Sequence, residues 1–111
     1  IAAGVGVLLE MVGTAEAGRG WGVPKMLVVC PAPILDHHGT RPDMDDMFRG
    51  GHAKSLKLAP LYEAVAALHG AAFFDAGELV KSSEHDGIHL DPEAHAVLGR
   101  AIGDAVLRLG C

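Results

Sequence analysis

The chain has 111 residues, of which 50% are hydrophobic and 21% are charged. This composition excludes a disordered or collagen-like chain, and the length allows one domain. Nine Lys and Arg residues stand against 14 Asp and Glu residues, for a formal net charge of −5. Because sequence-independent binding to nucleic acid or anionic lipid needs a basic surface, we expect no nucleic-acid partner and no membrane partner.

The first residues bear on the origin and location of the chain. The sequence starts at Ile1, within an apolar helical pattern and without an initiator Met, so we expect it to be the C-terminal part of a longer protein. The apolar start from Ile1 to Leu9 is too short to span a bilayer and lacks the basic segment of a signal peptide. The two cysteines, Cys30 and Cys111, make no disulfide framework, and Cys30 is predicted to be buried. A cytoplasmic location is expected.

Short apolar runs alternate with amphipathic stretches along the chain. Val5, Leu8 and Leu9 have helical spacing, whereas the run from Lys25 to Cys30 (KMLVVC) is short and apolar, as in a strand buried on both faces. The predicted elements are a helix over 1–13, a glycine loop at Gly18, Gly20 and Gly22, a strand over 25–30, an irregular loop over 34–53, a helix over 54–69, a strand over 72–74, a loop over 77–89 that includes a short helical turn, and a helix from residue 92. This alternation predicts an α/β fold with a parallel sheet.

Two helix starts carry distinct signals. Asp91 is predicted to cap the last helix, with Pro92 at its first position. Ser55 is predicted near the start of the preceding helix, where Pro60 either lies in the first turn or kinks the helix. Inward positions of that helix are predicted at Tyr62 and at Leu68 or Ala66, among others.

The sharpest chemical signal is the segment from Asp86 to His89 (DGIH). It follows the second strand, where ligands collect in open α/β sheets. If Gly87 lets the chain turn, Asp86 can reach the Nδ1–H of His89 and leave Nε2 free to take a proton from a nucleophile. The alternative is a simple Asp-Gly turn with a polar histidine before the helix cap.

The other polar residues give weaker signals. Asp36, His37, His38 and His52 lie on or beside one loop, but their spacing matches no zinc motif, so we expect a solvated, mobile loop, no metal and no cofactor. The serines are Ser55, Ser82 and Ser83. None lies in a G-x-S-x-G or G-D-S block, so they are predicted to be turn or helix-start residues.

Four segments together resemble a known family. KMLVVCPAPIL, FRGGHAKSLKLAPLY, FFDAG and DGIHLDPEAHAVLGRAI are similar, in this order, to the C-terminal half of an SGNH (GDSL-type) hydrolase, especially of the arylesterase/acyltransferase branch. The resemblance covers nearly the whole chain. It implies a flavodoxin-like three-layer α/β/α sandwich, of which residues 1–111 are the C-terminal portion. It also implies hydrolysis or transfer of small carboxylic esters through an acyl-enzyme, without a metal.

The resemblance also implies roles for particular residues. Asp86 is the expected acid of the catalytic triad and His89 the expected base, while Asp75 is expected to be structural. The loop from Ile34 to Gly51 is expected to border the acyl or alcohol pocket and to contribute to subunit contacts, which makes a homo-oligomer an expectation. The candidate substrate residues on this loop are Ile34, Met44, Met47 and Phe48.

The chain also departs from the family pattern. The G-D-S block with the nucleophilic serine and the G-x-N-D block of the oxyanion hole are not in this sequence. By comparison with the family, Pro60 is expected to break a helix that is uninterrupted in relatives. The expected partners are therefore a small ester substrate and the N-terminal half of the domain. The 111-residue chain alone is predicted to be inactive and unstable. Two alternatives stay open, a non-catalytic α/β interaction module and a His-rich metal-binding domain.

Overall fold

The structure is a computed structural model that describes residues 1–14 and 22–110. The loop predicted at Gly18 and Gly20 lies outside the described residues, as does Cys111. The elements, in chain order, are α1 (Ala2–Thr14), β1 (Leu27–Cys30), α2 (Met44–Met47), α3 (Gly51–Ser55), α4 (Leu58–Leu68), β2 (Ala72–Asp75), a 3₁₀ turn (Ala76–Glu78) and α5 (Pro92–Arg108).

The strands β1 and β2 pair in parallel, and α4 lies on the connection between them. Leu27 pairs with Ala72, and Cys30 pairs with Asp75, so both strands end at the same edge of the sheet. Helix α4 packs on both strands and α1 packs on α4. Parallel strands need such a crossover, because their connection must return to the starting edge. The α/β prediction with a parallel sheet is confirmed, in a sheet that has two strands within 1–14 and 22–110.

The core lies between β1, α1 and α4. It is built from Leu9, Val28, Cys30, Tyr62 and Ala66. The helical spacing left open whether Leu68 or Ala66 faces inward. Ala66 is 0% exposed and Leu68 is exposed, so the inward residue is Ala66. Cys30 is 1% exposed, so its predicted burial is confirmed. Burial raises the pKa of the Cys30 thiol, and the nearby charge of Asp75 raises it further.

Several predicted boundaries were wrong. Strand β1 begins at Leu27 and not at Lys25. The predicted irregular loop over 34–53 contains α2 and most of α3. Ser55 ends α3 instead of beginning a helix, and α4 begins at Leu58. Pro60 therefore lies in the first turn of α4, where a missing backbone N–H breaks no intrahelical hydrogen bond.

Helix α5 begins as predicted, with one difference at its cap. Asp91 has the extended backbone of an N-cap residue, with φ −69° and ψ 158°, and Pro92 follows it. Its side chain, however, makes no capping bond to the described backbone, because Asp91 Oδ1 accepts a hydrogen bond of 2.6 Å from the Ser83 hydroxyl. No helix in the described part of the chain is both long and apolar enough to cross a membrane.

Candidate active site

The segment over residues 83–91, here called the dyad loop, is closed by its own backbone. The N–H of Ser83 donates to the carbonyl of His89 at 2.6 Å, and the N–H of Gly87 donates to the carbonyl of Ser83 at 2.7 Å. Gly87 has φ 71°, in the left-handed region that glycine adopts at little cost. The turn at Gly87 thus brings His89 back over Asp86.

Asp86 and His89 are hydrogen-bonded to each other in this loop. Asp86 Oδ2 lies 2.6 Å from His89 Nδ1, and Asp86 Oδ1 accepts from the backbone N–H groups of Ile88 and His89, each at 2.9 Å. Since a carboxylate can only accept, Nδ1 carries the proton and Nε2 of the neutral ring is left as an acceptor. The side chain of Asp86 is 12% exposed, whereas that of His89 is 73% exposed.

The surroundings of Asp86 keep it charged. The backbone N–H of His89, the backbone N–H of Ile88 and the His89 imidazole together hold the pKa of the Asp86 carboxyl well below its usual range. Asp86 is therefore ionised at neutral pH. An ionised, fixed carboxylate orients the imidazole and stabilises its protonated form, which is the arrangement a general base requires.

A second loop supports the dyad loop from outside. This segment, residues 34–51, is here called the flanking loop. The N–H of Leu35 donates to the carbonyl of Gly87 at 2.8 Å, and the N–H of Thr40 donates to the carbonyl of His85 at 2.9 Å. A Cβ added to Gly87 would lie under 3.0 Å from the carbonyl oxygen of His37, so the two backbones touch directly. The carbonyl groups of the two residues next to Asp86 are thus held by the flanking loop.

The four substrate candidates on the flanking loop lie in different surroundings. Phe48 lines a cleft of about 530 Å³, whereas neither Met44 nor Met47 is among the described residues that line it. Ile34 is packed against Gly51, where an added Cβ would lie 2.6 Å from Ile34 Cδ1. The structure brings Ile34 and Phe48 into the packed part of the loop and leaves Met47 exposed. Their role toward a substrate stays a prediction.

The expected solvated loop was wrong for one histidine. His38 is 5% exposed, and its Nδ1 lies 2.8 Å from Asp45 Oδ1. Its neighbour His37 is exposed and pairs with Glu84 at 3.2 Å. Sequence reasoning missed the His38–Asp45 pair, because no local spacing marks a contact that depends on how α2 folds back. His52 is also engaged, since its Nδ1 lies 2.7 Å from the carbonyl oxygen of Ile34.

The remaining polar residues hold the backbone in place. Asp75 Oδ1 accepts from the N–H of Gly77 at 2.9 Å, which fits a structural residue at the end of β2. Ser82 donates to the carbonyl of Pro33 at 2.9 Å, and Ser55 donates to the carbonyl of His52 at 2.8 Å. Within residues 1–14 and 22–110, no group of three or more His, Cys, Asp or Glu side chains has a geometry that could hold a metal ion.

Similar structures have been solved for three bacterial proteins. The carbohydrate acetylesterase Est24 from Sinorhizobium meliloti has 40% sequence identity and a TM-score of 0.88, over 98% of this chain and 51% of that chain. The aryl esterase of M. smegmatis has 36% identity and a TM-score of 0.88, over 98% of this chain and 51% of that chain. A carbohydrate acetylesterase family member from Sinorhizobium meliloti has 30% identity and a TM-score of 0.88, over 99% of this chain and 52% of that chain.

The share of each esterase that the chain covers is as informative as the sequence identity. The chain spans about half the length of the esterases it matches, and the matched part is their C-terminal half. No protein-family model matches the chain, and no curated protein sequence matches it significantly. These three solved structures nevertheless align with almost the whole chain, at 30–40% sequence identity. The chain therefore belongs to the SGNH hydrolase family and corresponds to the C-terminal half of the esterases it matches.

Proposed function

We propose that this chain supplies the acid–base part of a serine esterase or acyltransferase active site, with Asp86 as the triad acid and His89 as the triad base. The observation that carries the proposal is the 2.6 Å contact between Asp86 Oδ2 and His89 Nδ1, which leaves the acceptor nitrogen on an exposed ring. The similarity to carbohydrate acetylesterase and aryl esterase structures supports the reaction class.

The proposed reaction is acyl transfer through a covalent intermediate. His89 Nε2 takes the proton of a serine hydroxyl, the serine oxygen bonds to the ester carbonyl carbon, and the proton then passes from Nε2 to the departing alkoxide. Water or a second alcohol next gives its proton to Nε2 while its oxygen bonds to the acyl carbon. The bond between that carbon and the serine oxygen then breaks, and Nε2 returns the proton to the serine oxygen. Asp86 stays ionised throughout and stabilises the imidazolium that forms in each half-reaction.

The nucleophile and the oxyanion-hole donors have to come from outside these 111 residues. No G-D-S block and no G-x-N-D block occur in the sequence, and Ser55, Ser82 and Ser83 are each bonded to another group. We therefore assign both functions to the other half of the domain. Preorganised donors around the oxyanion are often the largest single contribution to such catalysis, so the chain alone is expected to lack turnover.

An apolar surface on α1 and β1 is where the other half of the domain would pack. Helix α1 exposes Val7, Leu8 and Met11, and an apolar groove of about 430 Å³ runs between α1 and β1. The sheet edge of β1 opposite β2 carries no strand within the described residues. An unpaired parallel strand beside an apolar groove is expected to be covered in a stable domain. A further strand on β1 and helices on both faces would complete the three-layer sandwich.

The proposed substrates are small carboxylic esters. The solved structures that the chain matches are named as a carbohydrate acetylesterase and an aryl esterase, which suggests acetate esters of sugar or aryl alcohols for this protein. An aryl acetate such as p-nitrophenyl acetate is the simplest probe, because its leaving group is released in the acylation step and absorbs light.

The test measures hydrolysis of p-nitrophenyl acetate by the chain joined to the half that carries the nucleophile. His89→Ala should lower kcat by roughly 10⁴–10⁶, as expected when a triad member is lost. His95→Ala serves as the matched control, because His95 is an exposed histidine on α5, and it should leave kcat unchanged. Retention of activity in His89→Ala would disprove the assigned role. Turnover by the 111-residue chain alone would disprove the need for a second half.

A further inference from the structure

His38 is a buried side chain in an exposed stretch of the flanking loop. The residues on either side, His37 and Gly39, are exposed, whereas His38 is 5% exposed. Its Nδ1 lies 2.8 Å from Asp45 Oδ1, and its ring stacks on that of Phe48 with centroids 5.6 Å apart and planes at 30°. The His38 side chain thus ties the beginning of the flanking loop to α2 and to the residue that follows it.

The other ring nitrogen of His38 is unusual. Nε2 is buried and has no hydrogen-bond partner among the described residues. A buried polar atom without a partner costs free energy, so an apolar side chain would fill the same space more favourably. The polar contact that the imidazole does make is the one to Asp45, whose carboxylate can only accept. His38 Nδ1 therefore donates the bond that closes this part of the loop.

The backbone around His38 holds the dyad loop. The N–H of Leu35 donates to the carbonyl of Gly87, and the N–H of Thr40 donates to the carbonyl of His85, at 2.8 Å and 2.9 Å. Asp86 lies between those two acceptors in sequence. Between the two donors, His38 carries the one buried side chain. A shift of His38 is therefore passed on, through two backbone bonds, to the carbonyl groups of His85 and Gly87, the two residues next to Asp86.

We propose that His38 is a positioning residue that, anchored on Asp45 and Phe48, holds residues 35–40 against the dyad loop and so fixes the geometry of the Asp86–His89 pair. Its kinetic consequence rests on the proposed function, whereas its structural consequence does not. His38 touches neither Asp86 nor His89 by hydrogen bond among the described contacts, so its action is transmitted through the backbone.

The structural test uses amide hydrogen exchange and NMR on the protein that contains this chain. His38→Ala should raise the exchange rates of the Leu35 and Thr40 amides about tenfold relative to amides of α5, because one net hydrogen bond to a charged group is lost. It should also weaken the downfield proton resonance of His89 Nδ1–H, which reports the bond to Asp86. The control His37→Ala removes a pair with Glu84 of the dyad loop, but both side chains are exposed and such a pair contributes little, so it should change neither.

A conservative variant separates positioning from simple loss of packing. His38→Asn places an amide nitrogen near the position of Nδ1 and can still donate to Asp45, so it should restore the slow exchange and the His89 resonance. His38→Gln reaches past that position and should behave like His38→Ala, which keeps the test open if the alanine variant does not fold. The proposal is overturned if His38→Ala matches His37→Ala in both measurements.

Kinetics on the complete enzyme give a second readout. His38→Ala should lower kcat for p-nitrophenyl acetate about tenfold with little change in KM, because the Asp86–His89 geometry and not substrate binding is disturbed. His38→Asn should recover most of kcat. A rise in KM at unchanged kcat would overturn the positioning role in favour of substrate contact. Absence of turnover in every variant and in the parent contradicts the proposed function, while the exchange measurements still decide the role of His38.

Discussion

Replacing Gly87 by alanine should destabilise the protein much more than the same replacement at Gly50. Both glycines have left-handed backbones, with φ 71° at Gly87 and φ 74° at Gly50. At Gly50 an added Cβ would have no described atom within 4 Å, whereas at Gly87 it would lie under 3.0 Å from the carbonyl oxygen of His37. The two variants therefore share the conformational cost and differ in the clash.

The magnitude follows from these two contributions. A left-handed conformation costs an L residue about 1–2 kcal/mol, and this applies to both variants. At Gly87 the methyl group must also push His37 away, which breaks the 2.8 Å bond between the N–H of Leu35 and the carbonyl of Gly87. Leaving this N–H and this carbonyl without hydrogen-bond partners costs about a further 1–3 kcal/mol. The unfolded-state effect of adding a methyl group is the same in both variants and cancels.

Urea denaturation of the complete protein measures this difference. The free energy of unfolding of Gly87→Ala should lie about 1–3 kcal/mol below that of Gly50→Ala, at an unchanged dependence on urea concentration. Gly87→Ala should also abolish the proposed esterase activity, because the displaced turn carries Asp86 and His89. Equal destabilisation in the two variants would show that the flanking loop does not press on the dyad loop, and the argument from close approach would fail.

Three further predictions concern other parts of the chain. The pKa of Asp86 is lowered on folding, so its contribution to stability is present above its unfolded pKa of about 3.9 and is lost as the pH falls toward the folded value. Asp86→Asn should therefore show a shallower loss of stability below about pH 5, measured by urea denaturation at several pH values. Ala66→Leu should cost about 1–3 kcal/mol by overpacking a site that is 0% exposed, while the exposed Ala67→Leu should change stability by less than about 0.5 kcal/mol in thermal or urea unfolding. In a Cys111→Ser background, iodoacetamide should modify Cys30 far more slowly in the native protein than in urea, because burial restricts access and raises the thiol pKa.

Much of the fold was predictable because its signals are local. The strand Ala72–Asp75 follows from a short apolar run, and the start of α5 follows from Asp91 and Pro92. The flanking loop was less predictable. Its two helices, α2 and α3, have four and five residues, which is too short for a hydrophobic period to show.

The candidate site divides in the same way. The contact between Asp86 and His89 spans three residues and one glycine turn, so the segment alone indicates it as one of two alternatives, and the resemblance to the family favours it. The hydrogen bond between Ser83 and Asp91 was not predicted. The Asp91 carboxylate can accept either from the backbone of its own helix or from a nearby hydroxyl, and the packing of the dyad loop places the Ser83 hydroxyl next to it. The G-D-S block that carries the family's nucleophilic serine does not occur in the sequence.

The sequence by itself determined the order of the longer elements and the α/β class, and it indicated the Asp86–His89 pair, since each depends on residues that are close along the chain. Only the tertiary structure decided that His38 is buried against Phe48 and that Gly87 lies under the carbonyl of His37. These contacts join segments that approach each other only after α4 has brought β1 and β2 side by side, so their distances depend on the whole fold and not on any local pattern.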